Sequence, residues 1–182
     1  MGFLSDKNSQ VRHSLAEHPL DVGRLEARAQ ERPPARAWVD ALSAVEMSLI
    51  AEVKRSSPSA GHIADTDPAQ RARTYEAAGA AAISVLTEER HFGGSLADLE
   101  AVHGVTSVPI LRKDFLVDAL QLLEARAEGA DAALLIAASL SADQLDEMLG
   151  AAGELRLGIL LEIHSLEDLD KALSTDAVVI GV

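Results

Sequence analysis

Six short, continuously apolar segments recur along this chain, and they constrain its fold more than any other feature. Strands buried on both faces of a parallel sheet have continuously apolar sequences, whereas half-exposed strands alternate apolar and polar residues. We therefore predict six parallel strands, at 48–53, 80–86, 107–112, 131–137, 157–162 and 177–182.

The segments between these strands carry the signals of helix ends. Asp67 and Ser141 are residue types that cap the start of a helix, and Gly79 and Gly129 stand where a helix often ends in left-handed backbone. The junctions around the two glycines also resemble each other, so the repeating unit is one strand followed by one helix. The predicted helices span 67–78, 95–103, 118–128, 141–152 and 165–173.

Two α/β folds can be built from such units, the doubly wound sheet and the (β/α)8 barrel. Neither a G-x-G-x-x-G fingerprint nor a Walker lysine follows any predicted strand, which disfavours the nucleotide-binding doubly wound sheets. Charged residues stand at three strand ends instead, namely Glu52 with Lys54, Lys113 and Glu162. In a barrel these ends share one mouth. The sequence therefore favours an α/β fold of the (β/α)8 TIM-barrel type with about six β-α units in 48–182, whereas a typical barrel takes about 250 residues.

Residues 1–47 differ in composition and residue pattern from the rest of the chain. The stretch 15–32 is polar and compatible with a helix, and Pro33-Pro34 interrupts the segment that follows it. We predict an N-terminal helical extension over 1–47, followed by an incomplete barrel that contains strands one to six over 48–182.

Composition excludes several classes of protein. The 16 Lys and Arg against 29 Asp and Glu give a net charge of −13, which makes nucleic acid an unfavourable partner. The absence of cysteine excludes disulfide scaffolds, thiolate zinc sites and cysteine nucleophiles. The longest apolar runs have about eight residues, against roughly 20 for a membrane span. We therefore expect a soluble cytoplasmic protein with no membrane partner.

The charged strand ends are candidates for acid–base chemistry. Glu52 and Lys54 alternate on one strand, so both point to the same face, about 6.6 Å apart along the strand; a structural ion pair is the alternative interpretation. Lys113, taken alone, is more typical of a surface residue, and Glu162 interrupts an otherwise apolar strand. Together, two lysines and two carboxylates suit proton transfer to and from an anionic substrate.

Other residue types give weaker signals. Phe92 and Phe115 stand beside the predicted mouth, where they are either core residues or an apolar wall for a ring-bearing ligand. The six histidines match no zinc-binding spacing such as H-E-x-x-H, so no metal site is predicted.

Five segments together resemble the indole-3-glycerol-phosphate synthase family. The resemblance runs in order from about residue 3 to the last residue. The matching segments are IAEVKRSSPS-x-G at 50–61, AISVLTE at 82–88, F-x-GS at 92–95, PILRKDF at 109–115 and LLEIH at 160–164.

The resemblance implies a (β/α)8 barrel that closes the ring of 1-(2-carboxyphenylamino)-1-deoxyribulose 5-phosphate, with loss of carbon dioxide and water, in tryptophan biosynthesis. Carried over by motif, Lys113 would be the general acid that protonates the ribulose carbonyl oxygen. Lys54 would bind anionic groups and donate a proton in the dehydration. Glu162 would act as a general base or stabilise a cationic intermediate, and Glu52 would orient the lysines.

The same resemblance implies a substrate pocket in which Ser57 contributes a polar group while Phe92 and Phe115 line the anthranilate side. No cofactor is used in the family, and the partner is a small phosphorylated molecule.

Strands seven and eight of the family barrel, with the loops that form its main phosphate site, have no counterpart in the sequence up to Val182. The chain is therefore expected to be a truncated synthase, and the alternative is an inactive barrel fragment that self-associates or pairs with a partner chain. Neither 48–53 nor 177–182 carries a lysine or proline within the strand that would block an open sheet edge. A relative of phosphoribosylanthranilate isomerase is disfavoured, since that family by analogy needs a cysteine.

Overall fold

Six parallel strands form one sheet in the computed structural model, which describes residues 2–58, 61–63 and 67–182. The strands of the sheet are β1 (Ile50–Val53), β4 (Ala82–Leu86), β5 (Ile110–Lys113), β6 (Ala132–Ile136), β7 (Gly158–Glu162) and β8 (Val179–Gly181). The two intervening strands, β2 (Ser56–Ser57) and β3 (Gly61–His62), form a separate antiparallel pair. The end of the 50–61 motif, at residues 59–60, lies outside the described residues.

The order of strands across the sheet is β1-β4-β5-β6-β7-β8, with all neighbours parallel. Each strand of the sheet thus lies beside the one that precedes it in sequence. Doubly wound sheets reverse their strand order at a switch point, whereas barrels do not. The observed order confirms the six predicted strands and the α/β class.

Helices connect consecutive strands as predicted. They are α4 (Pro68–Ala77), α6 (Leu96–His103), α7 (Ala119–Ala127), α8 (Ala142–Glu154) and α9 (Leu166–Leu173). The predicted cap residues act as caps: the Asp67 carboxylate accepts from Ala69 N–H, and Ser141 forms a reciprocal capping box with Gln144. A further short helix, α5 (Glu89–Phe92), follows β4 and was not predicted.

The amino-terminal segment differs in detail from the single helical stretch predicted at 15–32. It forms α1 (Phe3–Glu17), α2 (Val22–Glu31) and α3 (Trp38–Ser43). The break falls beside Pro19, since proline disfavours helical backbone in the residue before it. Asp21 then starts α2 by accepting a hydrogen bond from Arg24 N–H at 3.1 Å.

The sheet buries both faces of its central strands β4, β5 and β6, whereas β1, β7 and β8 are in part half-buried. Ile83 and Leu135 belong to a large cluster formed with the helices, while Ala82, Leu111 and Ala132 pack on the other face against the indole of Trp38. Since neighbouring residues of a strand point to opposite faces, the Trp38 side is the inner face of the sheet. Trp38, only 3% exposed, covers that face at the amino ends of the strands.

Gly158 at the start of β7 leaves space for Trp38, and we expect Gly158→Ala to destabilise the fold. A Cβ atom there would lie 2.7–2.8 Å from three atoms of the Trp38 side chain. Overpacking of this kind typically costs about 1–3 kcal/mol. Urea unfolding followed by the fluorescence of Trp38 would measure the change. Gly150→Ala is the control, since its Cβ meets nothing within 4 Å and alanine favours the helix; equal stability of the two variants would contradict the prediction.

No helix in the described part of the chain is long and apolar enough to cross a membrane.

Candidate active site

Lys113 and Glu162 meet at the carboxyl ends of two strands that are not neighbours. Lys113 ends β5, Glu162 ends β7, and β6 lies between them. Neighbouring strands are about 4.8 Å apart, so only long side chains on the same face can bridge this gap. Lys113 Nζ donates to Glu162 Oε2 at 3.2 Å. The predicted convergence of these two residues is thus present in the structure.

Glu162 has a second partner that was not among the predicted site residues. Its Oε1 atom lies 2.9 Å from Nε2 of His164, whose side chain is 60% exposed. The two carboxylate oxygens therefore face different groups, Lys113 inside the mouth and His164 at its rim. The E-x-H spacing on an extended segment would have been sufficient to predict this contact, because residues two apart share a face.

Glu52 and Lys54 form their own pair on the first strand of the sheet. Lys54 Nζ lies 2.6 Å from Glu52 Oε1, and the two side chains are 32% and 30% exposed. The alternation of side chains along the strand therefore places both residues on one face, as predicted. The ion pair that the alternative interpretation expected is also present. Both remain accessible to a bound molecule at this exposure.

A cavity of about 200 Å³ lies over the carboxyl ends of the strands, beside the Lys113–Glu162 pair. Its walls combine apolar side chains from two strands, β4 and β6, with two aromatic rings and a few charged groups. The lining residues are Leu86, Glu88, Phe92, Lys113, Asp114, Phe115, Leu134, Ile136 and Glu162.

The cavity brings together four of the seven predicted site residues. Phe92 and Phe115 are half-buried and line it, which favours the interpretation of a wall over that of core packing. Glu52, Lys54 and Ser57 are described by the structure but do not belong to this lining.

The residues that flank Lys113 fix its position from the opposite face of the sheet. Arg112 points outward, where its guanidinium donates to Gln121 O at 3.0 Å and lies 2.9 Å from the Glu124 carboxylate, both on α7. Asp114 accepts from Thr87 Oγ1 at 2.5 Å and so joins the loops that follow β4 and β5. The alternating residues of the R-K-D sequence thus anchor the strand end on which Lys113 stands.

The short strand β2, which carries Ser57, is held beside α5. The Arg55 guanidinium makes a bidentate pair with Asp98, at 2.6 and 2.8 Å, and also donates to Gly93 O at 3.1 Å. Ser56 Oγ donates to His91 O at 3.2 Å. These contacts connect the segment after β1 to the segment after β4, on the same side of the sheet as the cavity.

Glu88 is a cavity residue that the sequence analysis missed, although it lies inside the 82–88 motif. It is 8% exposed and forms an ion pair with Lys7 of α1. Burial favours its neutral form, but hydrogen bonds from Lys7 and from the backbone and ring of His91 outweigh burial and lower the pKa of Glu88 to about 2. The carboxylate is therefore charged at any physiological pH.

The low pKa of Glu88 makes part of the folding stability dependent on pH. A carboxyl group whose pKa lies near 2 in the folded chain and near 4.5 in the unfolded chain stabilises the fold above pH 4.5. This contribution, on the order of 3 kcal/mol, is lost as the pH falls from about 5 to about 2. We expect the free energy of unfolding, measured with urea, to fall less over this pH window in Glu88→Gln than in the wild type. The exposed neighbour Glu89→Gln is the control, and identical declines in all three would contradict the assignment.

The described residues contain no group of three or more His, Asp or Glu side chains that could hold a metal ion.

Comparison with known proteins identifies the family. The family model described as indole-3-glycerol phosphate synthase matches residues 2–182. The chain is 49% identical to the indole-3-glycerol phosphate synthase of Streptomyces griseus, over 100% of this chain and 69% of that protein. It is 50% identical to the one of Rhodococcus jostii, over 91% and 62%, and 42% identical to the one of Aquifex aeolicus, over 100% and 71%.

Solved structures of mandelate oxidase resemble the fold with a TM-score of 0.56 at 17% identity, over 91% of this chain and 61% of the oxidase. At this identity the likeness concerns the fold alone. The chain spans 62–71% of the length of these curated synthases. Together with the parallel sheet, the family match confirms the predicted α/β fold of the (β/α)8 barrel type, with about six β-α units in this chain. The chain belongs to the indole-3-glycerol phosphate synthase family.

Proposed function

We propose that a barrel containing this chain converts 1-(2-carboxyphenylamino)-1-deoxyribulose 5-phosphate into indole-3-glycerol phosphate, releasing carbon dioxide and water, in tryptophan biosynthesis. The single observation that carries the proposal is the Lys113–Glu162 pair, 3.2 Å apart at an apolar cavity with two aromatic walls. An ammonium donor and a carboxylate beside a pocket for a ring are the groups that this carboxy-lyase reaction needs.

In the first step, the ring carbon that bears the carboxylate attacks the ribulose carbonyl carbon. Negative charge develops on the carbonyl oxygen, and the Lys113 ammonium supplies the proton that neutralises it. The ring loses its aromaticity and its nitrogen becomes an iminium. Glu162 stabilises this positive charge, which is absent from the substrate before the attack. Loss of carbon dioxide returns the electron pair to the ring.

In the second step, the new hydroxyl group leaves as water. The ring nitrogen donates its electron pair, so a second cationic intermediate forms before a proton is lost and the indole is complete. Lys54 is assigned to the substrate's anionic groups and to protonation of the departing hydroxyl. Glu52, 2.6 Å from Lys54 Nζ, orients that lysine. Ser57 is assigned to the polar side of the pocket, and Phe92 and Phe115 to the anthranilate ring. No cofactor is required in this scheme.

The proposal is tested with a hybrid barrel, in which the carboxyl-terminal part of the Streptomyces griseus relative follows Val182. Formation of indole-glycerol phosphate is followed by its fluorescence. We expect turnover by the hybrid barrel and its loss when Lys113 is replaced. A folded hybrid barrel that binds the substrate and releases no carbon dioxide would refute the proposed function.

Replacement of Glu162 separates binding from chemistry in the hybrid barrel. Glu162→Gln keeps the shape of the side chain and removes its charge, so we expect kcat to fall by about 10²–10³-fold while KM changes little. The reason is that the carboxylate acts on a cation that exists only after the attack. Glu167→Gln, an exposed carboxylate on α9, is the matched control. A rise in KM with unchanged kcat would assign Glu162 to binding alone.

We also propose a cytoplasmic location and a small phosphorylated molecule as the partner of the site. Both are supported by the biosynthetic role of the family, and fractionation of cells that express the chain would test the location.

A further inference from the structure

Helix α1 contacts the outer side of the aromatic wall of the cavity. The Phe3 ring packs edge-on against Phe115, with 6.0 Å between ring centroids and 71° between ring planes. It also packs edge-on against His91, at 5.3 Å and 86°. Helix α1 therefore touches Phe115 directly and touches α5, the short helix that carries Phe92.

Lys7 is the charged residue that fixes α1 at this place. It is 5% exposed, and its Nζ atom lies 5.9 Å from the centroid of the Phe115 ring. A buried ammonium group needs a partner of opposite charge. Lys7 donates to Glu88 Oε1, and the two side chains are 6% and 8% exposed. Removal of one member of such a pair leaves the other as an uncompensated buried charge.

Glu88 connects Lys7 to α5 through its two carboxylate oxygens. Its Oε2 atom accepts from the backbone N–H groups of His91, at 2.6 Å, and Phe92, at 3.2 Å. Helix α5 has only four residues, and an isolated helix of that length is unstable in water. Ser56 Oγ holds the carbonyl end of the helix through His91 O, and the Glu88 carboxylate is the side chain that caps its amino end, so the position of the Phe92 backbone depends on the orientation of that carboxylate.

We propose that Lys7 is a positioning residue of the active site, which fixes α5 and the Phe92 wall through its ion pair with Glu88. The assignment of the wall to the aromatic ring of the substrate rests on the proposed function. The coupling of Lys7 to α5 rests on contacts within the chain. Without the ammonium group, the Glu88 carboxylate turns toward water and releases the two N–H groups that it caps.

Hydrogen exchange of the His91 and Phe92 amides, read by NMR on the 182-residue chain, tests this coupling without any turnover. We expect Lys7→Met to accelerate exchange of both amides by at least about tenfold, because the cap that protects them is lost. Lys7→Arg keeps the charge and the donors and should restore the wild-type rates to within about twofold. Lys7→Gln, which keeps a donor without a charge, gives a milder variant if the methionine variant fails to fold.

The matched control is Arg12→Met, which removes a different anchor of the same helix. Arg12 donates to Val117 O at 3.3 Å, and within the described residues no hydrogen bond or ion pair joins it to α5. Unchanged exchange in Lys7→Met, or in Lys7→Gln in its place, would overturn the proposal. Equal acceleration in Arg12→Met would also overturn it, since general detachment of α1 would then explain the effect.

Kinetic measurements on the hybrid barrel separate this proposal from the proposed function. For Lys7→Met we expect KM to rise about tenfold with kcat reduced less than KM is raised, and rescue by Lys7→Arg. An inactive wild-type hybrid barrel would count against the proposed function and leave the exchange result to decide on Lys7. An active wild-type barrel with an unchanged KM in Lys7→Met would count against Lys7 alone.

Discussion

Replacement of Lys113 by methionine is expected to abolish turnover in the hybrid barrel while the fold stays intact. Methionine fills nearly the same volume along the strand end, but it has no proton to give to the carbonyl oxygen. Loss of one positioned general acid typically costs about 10²–10⁴-fold in rate. The measurement is the rate of indole-glycerol phosphate formation under single-turnover conditions, so that product release does not mask the chemical step.

Two controls make the Lys113 result specific. Lys171→Met removes a lysine whose Nζ donates to Ala137 O and Leu140 O, at 2.7 and 2.8 Å, on the helix side of the sheet. It should cost stability and leave the rate per folded molecule unchanged. Substrate affinity of Lys113→Met, measured by quenching of the anthranilate fluorescence, should remain measurable. Near-normal turnover by Lys113→Met would remove Lys113 from the role of general acid.

The parallel sheet could be predicted from the sequence because burial of both faces, complete in β4 and β6, requires a continuously apolar strand. Residues such as Ile83 and Leu135 face the helices, while Ala82 and Leu111 face inward, so burial favours an apolar residue at each of these positions. The same logic placed Lys113 and Glu162 at strand ends, where a charged residue interrupts an apolar run. Their 3.2 Å contact follows from geometry, since alternate strands of a barrel point side chains into one layer.

The contribution of α1 could not be predicted by that logic. Lys7 lies in a polar helix with no pronounced apolar face, and its partners are distant in sequence: Glu88, 81 positions later in the chain, and the ring of Phe115. No periodicity marks such a pair. Helix α5 was missed for a related reason, because its four residues are stabilised by the Glu88 carboxylate and not by their own helix propensity.

The 182-residue chain on its own is expected to be inactive and to self-associate through the edges of its sheet. Within the described residues β1 pairs only with β4, and β8 pairs only with β7. An unmade backbone hydrogen bond that is kept from water costs about 1–3 kcal/mol. Several such groups kept dry on each edge would approach the stability of a whole domain, about 5–15 kcal/mol, so the edge groups must either face water or pair with a second chain. Exposed apolar side chains also flank these strands, at Met47, Leu49, Val178 and Val182.

Sedimentation velocity over a range of concentrations would measure this association, with charged substitutions to locate it. Leu49→Lys and Val178→Lys place lysines beside the two edges, at side chains that are 63% and 74% exposed. Lysine blunts sheet edges against pairing, so the double variant should shift the chain toward monomer. Leu166→Lys adds the same charge at an 80% exposed position on α9 and should leave the association unchanged. The net charge of −13 opposes assembly of the wild-type chain. The double variant and the Leu166→Lys control differ from each other by only one charge, so a change in net charge does not explain a difference between them. A monodisperse wild-type monomer with measurable turnover would show that six β-α units suffice for the reaction and that the edges are not an interface.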